Sequence, residues 1–575
     1  MALQWSTQLL QAVPALAALY WSPCPSDPTL DCTTLTVPLE YADPDNGHLA
    51  HIPLARFNAT VPASQRKGHL LTNPGGPGSS GIDFLVNGAG EGISNITGGF
   101  YDIVSWDPRG VGSARPLLQC FDTAGEETEA SDSIAGAASI EYTQFTNQSY
   151  MPEFYSAIQD YDAQIGTLAS ACAEHNSTAL YTSSASYVAR DMAAIADALE
   201  GKENATLNYW GFSYGTIFGA EFIQTFPDRV GRFVFDGVFD PEANAKTYAS
   251  QLPNDELFVR DAIDDLVAFC NDAGPDGCAL SRPEGTTNST LDITTRLATL
   301  QASLYESPIE VPDGSFSIDV SIFSFFMYSF IKLPTTWPAV ASAVSALETG
   351  DAGPLADLLT DGVGSGSGTN YSSPDTGSLA GWPLQCIDNA PTNRTTVSEV
   401  AKLVLDISLA EKTPWLNADL ATLSFCRNFP DKRARVSNLG AELLKSGQTD
   451  KLLAMQDTPV LIVNALHDPS TPVTSARKLH GWLGESSRLV MRRGPGHTSM
   501  SLASLGLVQA IRDYLLDGEL PVAEEVHDVS QLVFDGRIDQ DTMTPDPVFN
   551  GTYTDEDMKL LQSTYGIFLA FLSLP

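Results

Sequence analysis

Ser213 stands between two glycines in Tyr209-Trp-Gly-Phe-Ser-Tyr-Gly215, directly after an apolar run. A serine hydroxyl is a weak nucleophile. To attack an acyl carbon it needs a base to take its proton, a group to orient that base, and N–H donors for the oxyanion. G-x-S-x-G also arises by chance in a long chain rich in glycine and serine, so the motif gains meaning only if the other parts stand where the chemistry requires them. The run at 208–213 reads as a strand, and "TIFGAEFIQTFP" continues it as a helical pattern up to Pro227. Ser213 is thereby expected on a tight strand-to-helix turn, where glycines at 211 and 215 remove Cβ atoms that would strike neighbouring backbone.

Two more side chains complete the chemistry. Asp468 closes the apolar run of "PVLIVNALHDPSTP", and Pro469 and Pro472 break the chain into a loop behind it. His497 follows the next apolar run, in "LVMRRGPGHTSM", after a Gly-Pro-Gly turn. Alone, Asp468 reads as a turn aspartate and His497 as a surface histidine. Together, each after a strand and in the chain order Ser, Asp, His, they match the nucleophile, acid and base of an α/β-hydrolase. The oxyanion donors would be the N–H of Tyr214 and an N–H in "NPGGPGSSG" (73–81), where Gly75 and Gly76 let the main chain approach substrate without a side chain between. Elsewhere such a Gly/Pro-rich loop would be only a turn.

Groups so far apart in sequence meet only if a sheet gathers them. Short β-rich runs alternate with helical patterns from residue 33 to about 240: 34–41, 51–57, 69–74, 101–108, 208–213 and 232–237. The alternation resumes from 458 to about 520, with runs at 459–468 and 487–497. Several are almost continuously apolar, as strands buried on both faces of a parallel sheet are. The expectation is an α/β class chain with a mostly parallel, doubly wound sheet. From 241 to 456 helical periodicity dominates, which predicts a large, mostly helical lid inserted in the sheet. Its Gly/Ser stretch at 361–378 reads as loop. Its aromatic run "SIFSFFMYSFIKLP" (321–334) suits either lid core or the lining of an apolar pocket. The expected division is an N-terminal segment 1–32, a first core part 33–240, the lid 241–456, and a second core part 457–575 carrying the acid and the histidine.

Composition narrows the function classes. Across 575 residues, 31 Lys and Arg face 70 Asp and Glu, a net charge of -39. A surface this acidic repels phosphate backbones and anionic lipid heads, so neither a nucleic-acid partner nor stable membrane association is expected. The eight cysteines contain no C-x-x-C and have little histidine near them, so no metal site is expected. Their even count, with close pairs at 24/32 and 270/278, fits disulfides formed in an oxidising compartment. Nine of 21 asparagines lie in N-x-S/T: Asn58, Asn95, Asn147, Asn176, Asn204, Asn288, Asn370, Asn393 and Asn550. Random placement would give roughly three, so the excess favours the secretory pathway. The apolar N-terminal stretch 9–21 has Ala15-Leu-Ala17 as a small-residue cleavage pattern but no basic residue before it, and reads as a weak signal peptide or a native first helix. The C-terminal "YGIFLAFLSLP" is about half the length that spans a bilayer, which predicts a packed terminal segment.

The segments "LLTNPGGPGSSG", "YDIVSWDPRGVGSARPLLQC", "WGFSYGT", "FVFDGVFDP" and "VNALHDPSTPV" with "GPGH" resemble secreted tripeptidyl aminopeptidases, relatives of the proline iminopeptidases. "WPAVASAVSALETGD", "LQCID" and "SFCRNFP" are similar to their lid, and "WSPCP" with "DCTTLTVPLEY" to their mature N-terminus, so the resemblance covers nearly the whole chain. It implies Ser213 as nucleophile, Asp468 as acid, His497 as base, and Gly75, Gly76 and Tyr214 as oxyanion hole, with Asp107 and Arg109 structural. With proximity in sequence, it also implies the pairs Cys24–Cys32, Cys120–Cys172, Cys270–Cys278 and Cys386–Cys426. Such enzymes hold the substrate's free amine with acidic side chains. Asp236 and Glu221 are the candidates nearest the core, with Asp240 beside them, though no motif chooses among them.

The expectation is therefore a secreted serine hydrolase that releases short peptides from free N-termini through an acyl-enzyme. No cofactor is expected, the partners are a peptide or small ester substrate, and the chain is expected as a monomer. An esterase or lactonase acting on an apolar metabolite with the same triad is the alternative, and a non-catalytic binding protein on this fold a more remote one.

Overall fold

The computed structural model describes residues 19–123, 125–126, 129–130, 151–175, 177–240, 252–282, 292–360, 381–388, 395–411, 424–429, 458–534 and 547–574. The segment 1–18, the Gly/Ser stretch 361–378, and Asn147, Asn176, Asn288, Asn370 and Asn393 lie outside the described residues. The apolar runs form strands in chain order: β1 (Ser22–Pro23), β2 (Asp31–Pro38), β3 (Leu49–Phe57), β4 (Gly68–Asn73), β5 (Tyr101–Trp106), β6 (Leu207–Phe212) and β7 (Val230–Asp236). A short antiparallel ribbon of β8 (Ile309–Glu310) and β9 (Ser317–Ile318) stands apart. The chain then returns with β10 (Val460–His467), β11 (Ser487–Pro495) and β12 (Glu525–His527).

Ten of these make one sheet in the order β1-β2-β3-β5-β4-β6-β7-β10-β11-β12. The edge through β3 is antiparallel, and every pairing from β5 to β12 is parallel. β5 and β6 are buried along nearly their whole length, because helices cover both faces. Helices Ala185–Glu200, Gly215–Thr225 and Val473–Leu483 pack on one face, and Leu505–Asp517 and Asp555–Leu572 on the other. Each Leu, Ile or Phe buried there contributes roughly 1.5–3 kcal/mol over exposure. This is the α/β-hydrolase architecture: a doubly wound sheet whose parallel strands all point their carboxyl ends the same way.

The described residues between β7 and β10 are mainly helical and pack as two clusters. Leu252–Gly277, Ile293–Glu306, Val320–Ile331 and Trp337–Leu347 enclose one apolar core, which Leu502 and Val533, after β11 in the chain, also join. The other joins Gly381–Asp388, Val397–Glu411 and residues 424–429 to helix Met151–His175, which precedes Ser213 in the chain. The aromatic run divides its duties. Phe323, Phe326, Met327 and Phe330 are core, while Tyr328, Lys332 and Leu333 face a cleft.

All four disulfides join the cysteines expected to pair. The C-terminal segment is a packed helix, Asp555–Leu572. Thr554 and Asp557 cap it reciprocally, and its apolar face closes one face of the sheet. Among the described residues no helix is long and apolar enough to cross a membrane.

Candidate active site

The loops beyond the carboxyl ends of β4, β6, β7, β10 and β11 converge, as ligand sites of open α/β sheets do. Register explains the meeting: Asn73 of β4 pairs with Gly211 of β6, and Phe212 of β6 with Asp236 of β7. Ser213 therefore leaves the sheet between two neighbouring loops. Its φ is +51°, the left-handed region that a residue with a Cβ adopts at a cost. The Ser213 N–H donates to the Asp236 carbonyl at 3.0 Å, and the Ser213 carbonyl accepts from Thr216 Oγ1 at 2.7 Å, so both sides of the elbow are anchored.

The two glycine-rich elements pack backbone to backbone. A Cβ on Gly75 would lie 2.6 Å from the Phe212 carbonyl oxygen and 2.7 Å from Tyr214 N, and one on Gly215 would lie 2.7 Å from the Asn73 carbonyl oxygen. Only glycine permits that approach. Gly75 N donates to Asn73 Oδ1 at 3.0 Å, so its N–H is already used. Gly76 lines the cleft beside Ser213. Of the two glycines expected in the oxyanion hole, Gly75 packs against Tyr214 N, and Gly76 is the one that lines the cleft.

Asp468 and His497 meet on the opposite wall. His497 Nδ1 lies 3.1 Å and 3.2 Å from the two carboxylate oxygens of Asp468. Asp468 is fully buried and accepts from the N–H groups of Ser470, Thr471 and Thr498 and from Thr471 Oγ1, at 2.8–2.9 Å. Burial pushes its pKa up, but the His497 ring and these hydrogen bonds outweigh burial and hold it below the ordinary carboxylate value. Thr471 Oγ1 also reaches His497 Nδ1 at 3.2 Å, so one hydroxyl touches both partners. Ser213 Oγ makes no hydrogen bond among the described residues; Ser213 and His497 line the same cleft with no hydrogen bond between them.

The histidine loop is braced from below and above. Arg492, fully buried, donates to the carbonyls of Pro495, Thr498 and Ser499 and to Ser501 Oγ. From the inserted helices, the Lys332 carbonyl accepts the His497 N–H at 2.9 Å. Thr471, Arg492 and Lys332 escaped the sequence reading. Thr471 had a local signal, standing three residues after Asp468 in a Pro-bounded turn where a hydroxyl can bond back.

The cleft has a volume of about 460 Å³. Pro74, Gly76, Pro77, Ser79, Ser213, Ser470, Thr471, His497 and Thr498 form its floor. Phe239, Tyr328, Lys332, Leu333 and Gln385, with Phe568, Phe571 and Leu574 of the C-terminal segment, form its walls. The structure does not bring Asp236 or Glu221 to it. Asp236 is fully buried, with its carboxylate oxygens 2.6 Å from Ser499 N and Ser499 Oγ. Desolvation raises its pKa to about 6 against those bonds. Since its carbonyl holds Ser213 and its side chain holds Ser499, Asp236 ties the elbow to the histidine loop. Glu221 is buried in helix Gly215–Thr225, where burial and then the charge of Asp388 push it up to about 8. Asp240 is paired with Lys478. Asp107 and Arg109 are structural, as expected. Asp107 accepts from Ser80 Oγ and from the N–H groups of Ile82 and Ser113, and Arg109 grips Asp191 through two nitrogens and the carbonyls of Pro38 and Leu39.

Fold and site together define an α/β-hydrolase. The sequence profile described as alpha/beta hydrolase fold matches residues 68–263, which hold Gly75, Gly76 and Ser213. The profile described as TAP-like protein matches residues 440–527, which hold Asp468 and His497. The chain has the α/β-hydrolase fold, and its C-terminal part is similar to TAP-like proteins. It is 28% identical over 516 residues to a tripeptidyl aminopeptidase of Streptomyces lividans, covering 88% of this chain and 85% of the relative. It is 27% identical over 518 residues to serine protease Hip1 of Mycobacterium tuberculosis (87% and 89% covered). It is 28% identical over 506 residues to carboxylesterase B of the same species (86% and 85% covered).

Proposed function

We propose that this chain is a secreted serine hydrolase that removes short peptides from free N-termini through an acyl-enzyme. The observation that carries the reading is the pairing of buried Asp468 with His497 on a cleft whose floor holds Ser213 in a left-handed elbow. In this reading Asp468 holds the imidazole with Nδ1 toward itself and Nε2 toward the cleft. His497 takes the Ser213 proton as Oγ attacks the carbonyl carbon, and the N–H groups of Tyr214 and Gly76 receive the oxyanion. His497 then gives the proton to the departing amine, and a water activated by the same ring releases the acyl group. Every group used belongs to the chain, so the chemistry calls for no metal or organic cofactor. Four disulfides support work in an oxidising, extracellular setting. The relatives named tripeptidyl aminopeptidase and serine protease support peptide substrates.

A second reading, ester hydrolysis, is favoured by the cleft itself. Its walls are largely apolar and aromatic, and no Asp or Glu is among the described residues that line it, whereas a free ammonium needs a carboxylate.

The first test is a fluorophosphonate probe, which should label wild type at Ser213 and leave Ser213→Ala unlabelled; labelling of the variant would place the nucleophile elsewhere. The second compares Ala-Ala-Pro-anilide with its N-acetyl form. If a buried carboxylate pairs with the substrate's ammonium, capping leaves that charge unpartnered and costs about 3–5 kcal/mol, so kcat/KM falls by roughly two to three and a half orders of magnitude. Equal rates would sink the exopeptidase reading, and rapid aryl-ester hydrolysis without anilide cleavage would select the esterase.

A further inference from the structure

One short helix touches both of the segments expected to form the oxyanion hole. Helix Gly381–Asp388 belongs to the cluster that joins the inserted helices to helix Met151–His175. At its start it meets the glycine-rich loop: a Cβ on Gly381 would lie 2.7 Å from the carbonyl oxygen of Pro77, the residue after Gly76. At its end it meets the elbow: Asp388 Oδ2 accepts from Tyr214 OH at 2.7 Å, and Asp388 Oδ1 accepts from Ala185 N at 2.8 Å. Between these ends, Gln385 lines the same cleft as Gly76, Pro77 and Ser213. Asp388 and Tyr214 are both buried, so water does not compete for the bond between them. The helix is fixed from behind by the disulfide Cys386–Cys426 and by the Trp382 ring, 5.5 Å from the ring of Phe425.

The two donors of the mechanism proposed above, on which this inference rests, are the N–H groups of Gly76 and Tyr214. They stand on loops that leave β4 and β6 beyond the last strand pair, Asn73 with Gly211. An oxyanion hole works only if its donors are held at a fixed spacing before the charge forms. A Cβ on Gly75 would lie 2.7 Å from Tyr214 N, so the loops are already in contact there. Such a steric stop limits how near the two loops come and does not keep them from parting. A rigid helix that packs on one loop and is hydrogen-bonded to the other supplies that restraint. We infer that helix Gly381–Asp388 is the clamp that sets the spacing of the oxyanion hole, with Gly381 and Asp388 as its positioning residues. Gly381 seats the helix on the loop, because a side chain there would push Pro77, and Gly76 with it, away. Asp388 holds the elbow through the Tyr214 side chain.

Trifluoromethyl ketones test this. Ser213 Oγ adds to the ketone carbon, the carbonyl electron pair moves to oxygen, and the serine proton passes to His497, so the adduct places an oxyanion in the hole. The corresponding alcohol has nearly the same shape but forms no adduct and needs no hole. Ala-Ala-Pro trifluoromethyl ketone serves the peptide reading, and decyl trifluoromethyl ketone the ester reading. The quantity to read by calorimetry is the alcohol-to-ketone ratio of dissociation constants, which does not depend on how much enzyme is folded. A merely structural role would leave that ratio unchanged. Misplacing one donor costs less than deleting it, so Gly381→Ala and Tyr214→Phe should each lower the ratio by about ten- to a hundredfold, with binding of the alcohol unchanged. Asp388→Asn can still accept from Ala185 N and donate to the Tyr214 hydroxyl oxygen, and should keep most of the ratio. Asp388→Ala strips both partners at once and risks the fold; Tyr214→Phe removes one hydroxyl and leaves every backbone group in place, so it carries the test. Wild-type ratios in both Gly381→Ala and Tyr214→Phe would overturn the clamp alone. A wild type that prefers neither ketone to its alcohol would overturn the hydrolase mechanism, and the clamp with it.

Discussion

Ser213 shows how a single residue can carry a functional strain. Its φ of +51° forces a Cβ into the region that glycine enters freely, a cost of about 1–2 kcal/mol. Hydrogen bonds from Ser213 N to Asp236 and from Thr216 to the Ser213 carbonyl keep it there. Ser213→Gly should remove the strain and, after glycine's larger unfolded-state entropy, stabilise the fold by roughly 0.5–1 kcal/mol. Ser213→Ala keeps the Cβ and should gain nothing. Both should lose turnover by several orders of magnitude. Denaturant midpoints of the two variants side by side check this; a glycine variant no more stable than the alanine one would mean the elbow is unstrained.

At the scale of elements, the nucleophile's helix and the inserted helices meet in a buried acidic pair. Tyr214 OH donates to Asp388 Oδ2 at 2.7 Å, and Ala185 N donates to Asp388 Oδ1 at 2.8 Å. Helix Gly381–Asp388 is thus tied to the residue after the nucleophile, and its Gln385 faces the cleft. Glu221 lies near that carboxylate, and Arg190 only partly offsets the repulsion. The fold therefore keeps the Glu221 proton to about pH 8, while an unfolded glutamate releases it near 4.5. The stability tied to this group is fully present below pH 4.5 and is lost as the pH rises toward 8, by a few kcal/mol in all. Glu221→Gln, which cannot ionise, should match wild type near pH 4.5 and exceed it at pH 8.5. Melting curves of both proteins across that range test the sign; a variant whose deficit or advantage is the same at both ends would show that Glu221 stays charged in the fold.

The whole molecule is held by links between segments distant in the chain. Cys120–Cys172 closes a separation of 52 residues and Cys386–Cys426 one of 40, and both lie in the cluster that joins helix Met151–His175 to the inserted helices. On a chain-entropy count each contributes about 4 kcal/mol, against roughly 2.5 kcal/mol for the eight-residue separations of the other two. Alkylation of the denatured, unreduced protein should label no cysteine. The double variant Cys386→Ala/Cys426→Ala should melt at lower temperature and, by loosening the helix that carries Asp388 and Gln385, lose activity before the sheet unfolds. Two or more labelled thiols in wild type would contradict the pairing.

The sequence by itself determined what depends on local order. Continuous apolar runs made buried strands, Gly211 and Gly215 made the elbow, and the succession of Ser213, Asp468 and His497 after three strands named the chemistry. These were legible because strand burial, turn geometry and chain order are each written in a few adjacent residues. The oxyanion loop was half legible: "PGGPG" announced a close approach, but the Asn73 side chain that occupies Gly75 N, leaving Gly76 to face the cleft, is a contact made only after folding. Asp236 and Glu221 show the limit. Both are acidic and near the motif in sequence, yet strand register turns Asp236 inward to Ser499, and helix packing buries Glu221 beside Asp388. That neither Asp236 nor Glu221 lines the cleft, that the Lys332 carbonyl holds the His497 N–H, and that the C-terminal helix supplies Phe568 and Phe571 to the cleft wall were decided by the tertiary structure alone. These are meetings of residues hundreds of positions apart, and no local pattern encodes which side chain a distant element will present.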